Sequence, residues 1–138
     1  MRPLLSLLLS CFLFGSVGIA AQTPDPVLLN GLKAWLANGS DAGLHVWYAD
    51  NPELSFTMKE KVRTVVRDMG SVFDTEVIAI QTISKRVTRY YVAVYYDSGP
   101  LWLRIERYLS DKQASYLPVR FSTDPDRILP GYITEFQQ

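Results

Sequence analysis

Apolar residues return every three or four positions up to Gly70, and every second position from Glu76 onward. The first spacing is that of helices with one buried stripe, the second that of strands with one buried face. Val27, Leu28, Leu32, Trp35 and Leu36 predict a first helix. Thr23-Pro24-Asp25-Pro26 leads into it with a capping side chain and a first-turn proline, and Asn38-Gly39 ends it. Asp41 can cap a short second helix in which Leu44, Trp47 and Tyr48 share a face. Alternation around His45 also fits a short strand there; the helix is preferred. Asn51-Pro52 breaks the chain, residues 53–56 read as extended, and Thr57-x-x-Glu60 reads as a capping box. Met58, Val62, Val65, Val66 and Met69 then predict an amphipathic helix stopped by Gly70.

The alternating half predicts four strands, over 76–84, 87–96, 100–109 and 115–122. Asp97-Ser98-Gly99 and Asp111-Lys112-Gln113 supply turns between them. Short links imply an antiparallel meander. Pro118 cannot donate to a ladder, so the fourth strand belongs at an edge or carries a bulge. Helices first and an antiparallel four-stranded sheet second give an α+β domain with the N-terminal helices packed on one sheet face. In the third strand Leu101, Leu103, Ile105 and Leu109 point one way, and Trp102, Arg104, Glu106 and Tyr108 the other. The second strand is apolar on both faces, with Tyr91, Ala93 and Tyr95 opposite Tyr90, Val92, Val94 and Tyr96. Such a strand is covered twice. Helices give one cover, and a second subunit is a candidate for the other. Ile128-Leu129-Pro130 in the tail can tuck back on the domain.

Residues 1–21 carry Arg2, an apolar run through Phe14 and then small residues ending in Ala20 and Ala21. That is the layout of a secretory signal peptide. The apolar run is short for a membrane span, so no stable span is expected after cleavage. A lipoprotein box at Leu8-Leu9-Ser10-Cys11 fits poorly, because Leu9 is bulky and the apolar run continues past the cysteine. The reading is an exported chain, periplasmic or secreted, with residues 22–138 as a single domain. Cleavage removes the only cysteine, Cys11, and with it any disulfide or thiolate chemistry. It also leaves 13 basic against 14 acidic side chains. Near-zero charge argues against nucleic acid and against an electrostatic grip on membranes.

Trp35-Leu36-Ala37-Asn38-Gly39-Ser40-Asp41 resembles the first-helix ending of the NTF2-like (SnoaL-like, cystatin-like cone) superfamily. Leu44-His45-Val46-Trp47-Tyr48-Ala49-Asp50-Asn51 resembles its second-helix signature. Gly99-Pro100-Leu101, with the later Phe121, Leu129 and Pro130, resembles the closing strands of its small exported members. The resemblance implies a curved sheet wrapped on a long helix, a conical apolar pocket and often a homodimer through the sheet. It does not imply one activity, since the fold hosts enzymes and non-enzymes alike. The steroid-isomerase branch places a carboxylate base where this chain has Phe56 and a tyrosine donor where it has Leu32. Neither can move a proton.

His45 is the only histidine, so imidazole chemistry rests on it, with Asp41 or Asp50 as a partner. A surface or structural histidine is the default reading. No ligand spacing supports a metal, and no glycine-rich phosphate loop or nucleophile elbow occurs; no cofactor is expected. Trp35, Trp47, Tyr48, Phe56, Tyr91 and Tyr95 are candidates to line a pocket for a small apolar ligand. The competing and favoured reading is that they fill the cone. Tyr90, Trp102, Arg104 and Tyr108 have the composition of an interface for a protein partner or a second copy, against a solvated face laced by Arg104–Glu106 contacts. Asn38-Gly39-Ser40 matches a glycosylation acceptor. The expected function is a non-catalytic domain binding a small apolar ligand or a protein partner in the cell envelope; the alternative is an acid/base enzyme of isomerase or dehydratase type using His45.

Overall fold

Helix α1 (Pro26–Asn38) forms where the spacing of apolar residues asks for it, burying Leu28, Gly31, Leu32 and Trp35. Val27 and Leu36, grouped with them by periodicity, stand at the rim of the stripe and are 42% and 40% exposed. The structure is a computed structural model that describes residues 22–134, so the signal-peptide reading of residues 1–21 lies outside the described residues. Helix α2 (Ser40–Trp47) follows after Gly39, and its helical form settles the choice left open around His45. The two helices meet through glycines. A Cβ on Gly31 would lie 1.9 Å from Nε1 of Trp47, and one on Gly43 would lie 2.8 Å from the Gly31 carbonyl oxygen. Their absence lets the Trp47 indole lie over α1 and donate to the Leu28 carbonyl at 3.2 Å.

Helix α3 (Pro52–Val66) starts at Pro52, ahead of the start expected at Thr57. Residues 53–56 are helical rather than extended, because Asn51 caps the helix by accepting from the Leu54 N–H at 3.1 Å and Pro52 opens its first turn. The expected capping box at Thr57 and Glu60 is therefore inside the helix, where the Thr57 hydroxyl donates back to the Glu53 carbonyl. Asp41 caps nothing. It sits in the first turn of α2 and pairs with Arg63 of α3.

Strands β1 (Val72–Thr82), β2 (Val87–Tyr96) and β3 (Gly99–Leu109) form an antiparallel meander, and β4 (Ala114–Tyr116) and β5 (Arg120–Ser122) both pair with β3. The expected fourth strand is thus two short pieces along one edge. Leu117-Pro118-Val119 interrupts it, as the missing N–H of proline demands. The Tyr48 hydroxyl repairs the break, donating to the Leu117 carbonyl at 2.8 Å and accepting from the Val119 N–H at 2.9 Å. Register shifts between Val72 and Asp74 and between Val77 and Ala79 bend β1, the other edge. The whole is an α+β fold: N-terminal helices on one face of a curved, open antiparallel sheet.

Register decides which side chains share a face. Tyr90 lies opposite Ile105, Val92 opposite Leu103 and Val94 opposite Leu101, and this set packs against Leu28, Trp35, Leu44 and Val62 of the helices. Tyr91 lies opposite Arg104, Ala93 opposite Trp102 and Tyr95 opposite Pro100, on the outer face. The outer face has its own cover. After a 3-10 turn at Pro125–Arg127, Ile128 and Leu129 pack on Tyr91, with Trp102 and Ile133 of the short helix α4 (Gly131–Thr134) beside them. The tail tucks back as expected, and it supplies from within the chain the second cover that β2 requires.

Candidate functional site

The six aromatics proposed for a pocket do not share one site; of them Trp47 and Tyr48 border the larger recess described below. Trp35, Trp47 and Tyr48 are buried in the helix–sheet core, with the Trp35 and Trp47 ring centroids 5.9 Å apart. The Trp35 indole N–H donates to the Tyr96 hydroxyl at 2.8 Å. These three fill the core between helices and sheet. Phe56 is 66% exposed on the solvent side of α3. Tyr91 lies under the tail, and Tyr95 stacks on Phe73 at 6.3 Å on the outer face. The interface set divides in the same way. Tyr90 belongs to the helix-facing core, while Trp102, Arg104 and the exposed Tyr108 remain outside. Arg104 reaches Glu106 at 3.8 Å, and Arg89 reaches the same carboxylate at 3.1 Å. For the tyrosines the division follows from β2, which is apolar on each side, so only its partners across the ladder tell its faces apart.

His45 is exposed in the last turn of α2 and lines none of the three recesses described below. Among the described residues no group of three or more His, Cys, Asp or Glu side chains could hold a metal ion. No helix among them is long and apolar enough to cross a membrane.

Polar groups converge elsewhere, at Asp25, Tyr90, Arg107 and Tyr116. Asp25 precedes α1 but makes no side-chain cap bond. Its carboxylate instead accepts from the Tyr116 hydroxyl of β4 and faces Nε of Arg107 at 3.5 Å. Arg107 continues the inward row of Leu101, Leu103 and Ile105, which brings a guanidinium to the rim of an apolar face. Burial pushes the Tyr116 hydroxyl up in pKa, and its bond to the Asp25 carboxylate adds to the shift. Tyr90 is raised as well, chiefly by burial. The Trp47 ring tilts against Tyr116 at 6.5 Å.

Two recesses meet at this cluster, each bordered by both Asp25 and Arg107. The larger, about 530 Å³, runs along Val46, Trp47, Tyr48, Leu54, Tyr116 and Leu117. The smaller, about 450 Å³, lies over Ile80, Thr82, Thr88 and Tyr90 toward the N-terminal segment. A third, about 390 Å³, opens between Met58, Phe121 and Ile128 at the β5 edge. Volumes of several hundred Å³ suit small ligands. The members of this cluster are scattered along the chain, so no local pattern marks it as a whole. Its one local signal was Arg107 itself, a charge on the inward side of a strand, which a fold tolerates only with a partner. No protein-family model matches the chain, and no curated protein or solved structure resembles it significantly.

Proposed function

We propose that the chain is an exported, non-catalytic NTF2-like domain that holds a small ligand with an apolar body beside Trp47 and Tyr116. The observation that carries this reading is the recess of about 530 Å³, whose walls combine Val27, Val46, Leu54 and Pro118 with an aromatic floor, the Asp25–Arg107 corner and a polar rim that includes Asp50 and Asn51. An apolar wall with convergent polar groups beside it is what small-molecule sites present. Three helices on a curved antiparallel sheet agree with the NTF2-like architecture. The filled cone moves the ligand from the interior to its mouth. Export rests on the pattern of residues 1–21. The acid/base alternative loses support from His45, which is exposed and does not line the recess. A homodimer through the sheet has less support than the ligand, because the chain's own tail lies over Tyr91 and Trp102.

The test uses a neutral probe, N-phenyl-1-naphthylamine, whose emission rises in an apolar site. Saturable binding by the purified protein is expected. Val27→Trp fills the recess from its exposed wall and should weaken that binding at least tenfold while leaving thermal unfolding in place. Unsaturable emission, or a titration indifferent to Val27→Trp, would overturn the reading.

A further inference from the structure

We infer that Arg107 is a receptor for an acidic head group, so that the ligand of the recess is an apolar carboxylate; this rests on the binding reading above. A guanidinium carries five N–H donors. Among the described residues Arg107 makes one ion pair, to Asp25 at 3.5 Å, and its buried Nε makes no hydrogen bond. Its side chain keeps 30% of its surface open to solvent at the seam of the two recesses. Asp25 is more fully engaged: its carboxylate is 16% exposed and takes the Tyr116 hydroxyl as well as the ion pair. Nε is closed to a ligand, so the donors on offer at this corner are those on the solvent-open part of the Arg107 side chain, and what would satisfy them is an acceptor-rich group.

A carboxylate fits best, because its two oxygens match the guanidinium fork. The walls specify the rest of the ligand. Val27, Val46, Leu54 and Pro118 accommodate an apolar tail, and the one further charge on the lining, the carboxylate of Asp50, disfavours a second anionic group. Asp25 acts as a brake. It holds the guanidinium in place through the ion pair and repels the incoming anion, which keeps affinity moderate.

Calorimetric titration of the purified protein with 4-phenylbutanoate and its neutral match, 4-phenylbutanamide, separates the possibilities. A charge-assisted bond at a partly buried site predicts roughly tenfold tighter binding of the acid. Arg107→Gln should bring the two ligands to equal affinity, and Arg107→Lys should keep part of the preference, as a charge without the fork. Asp25→Asn retains the guanidinium and removes the repelling charge; it should tighten the acid several-fold and leave the amide unchanged. A loosened fold would weaken both ligands together, so the acid-to-amide ratio reports recognition rather than stability. Equal binding of both by the parent protein overturns the carboxylate and leaves the recess reading standing. A preference that survives Arg107→Gln, or an acid weakened by Asp25→Asn, overturns it too. Binding of neither ligand overturns both readings.

Discussion

The two faces of strand β2 are equally apolar in composition but are sealed in different ways. Toward the helices, Val92, Val94, Leu101, Leu103 and Ile105 have no exposed surface, and three helices lie over them. Away from the helices, Tyr91 is 3% exposed, but its cover is a few residues of tail around Ile128 and Leu129. Beyond that cover the outer face turns polar, with Arg89, Arg104 and Glu106 in a charged row and Tyr95 bonded to Glu76. Burial of a side chain therefore says little about how much holds it there. The helix side is a continuous core; the tail side is a small satellite cluster that one segment opens or closes.

Core truncation should show the difference first. Trp35→Ala removes a fully buried indole and the N–H that bonds Tyr96, and is expected to cost about 3–5 kcal/mol in urea unfolding. Leu129→Ala, from a side chain buried nearly as well, should cost about 2 kcal/mol, since a tail can settle toward the gap it leaves. The exchange of backbone amides near Ile128 and Leu129 should quicken in that variant, with protection at Val92 and Val94 unchanged. Equal costs at the two sites, or loss of protection at Val92, would mean that both faces belong to one cooperative core.

What was legible in the sequence follows the same division between local and non-local causes. Strand β2 was read with its true bounds, and β3 to within one residue, because alternation and the Asp97-Ser98-Gly99 turn are written locally. Strand β1 begins four residues before the expected Glu76, because the irregularity between Val72 and Asp74 breaks the alternation there. Asn51-Pro52 carries the same cap-then-proline chemistry as the lead into α1, so the start of α3 is written locally: proline there opens a helix rather than breaking the chain. Pro118 announced a disturbed strand, but not that Tyr48 would bind both sides of the gap. The glycines at 31 and 43 gave no warning, since a close helix crossing exists only when both helices are in place. The faces of Tyr90 and Tyr91 could not be told apart without the register against β3. Asp25 looked like a cap and became a partner for residues of β3 and β4, which no spacing rule reports.

Tyr95 and Tyr96 offer the smallest and most selective test of the two faces, because they are neighbours in sequence and point opposite ways. Tyr96 is buried, accepts the Trp35 N–H, and is raised in pKa chiefly by burial. Tyr95 donates to the Glu76 carboxylate at 2.7 Å, and that bond is the leading reason its pKa is pushed up to about 12. The folded state thus holds the Tyr95 proton more tightly than the unfolded chain, where a tyrosine titrates near 10. Its contribution to stability is full below pH 10 and is lost as the pH rises through about 12. Tyr95→Phe should cost about 0.5 kcal/mol at pH 8, the low end for a half-exposed hydrogen bond. Between pH 10 and 12 the variant should lose stability less steeply than the parent, so that their urea midpoints converge. The buried tyrosines of the helix side, raised for a different reason, keep their share of the slope in both proteins. Parallel slopes for parent and variant would show that Glu76 does not hold Tyr95, and that the edge of the outer face is bare surface rather than a second, weaker seal.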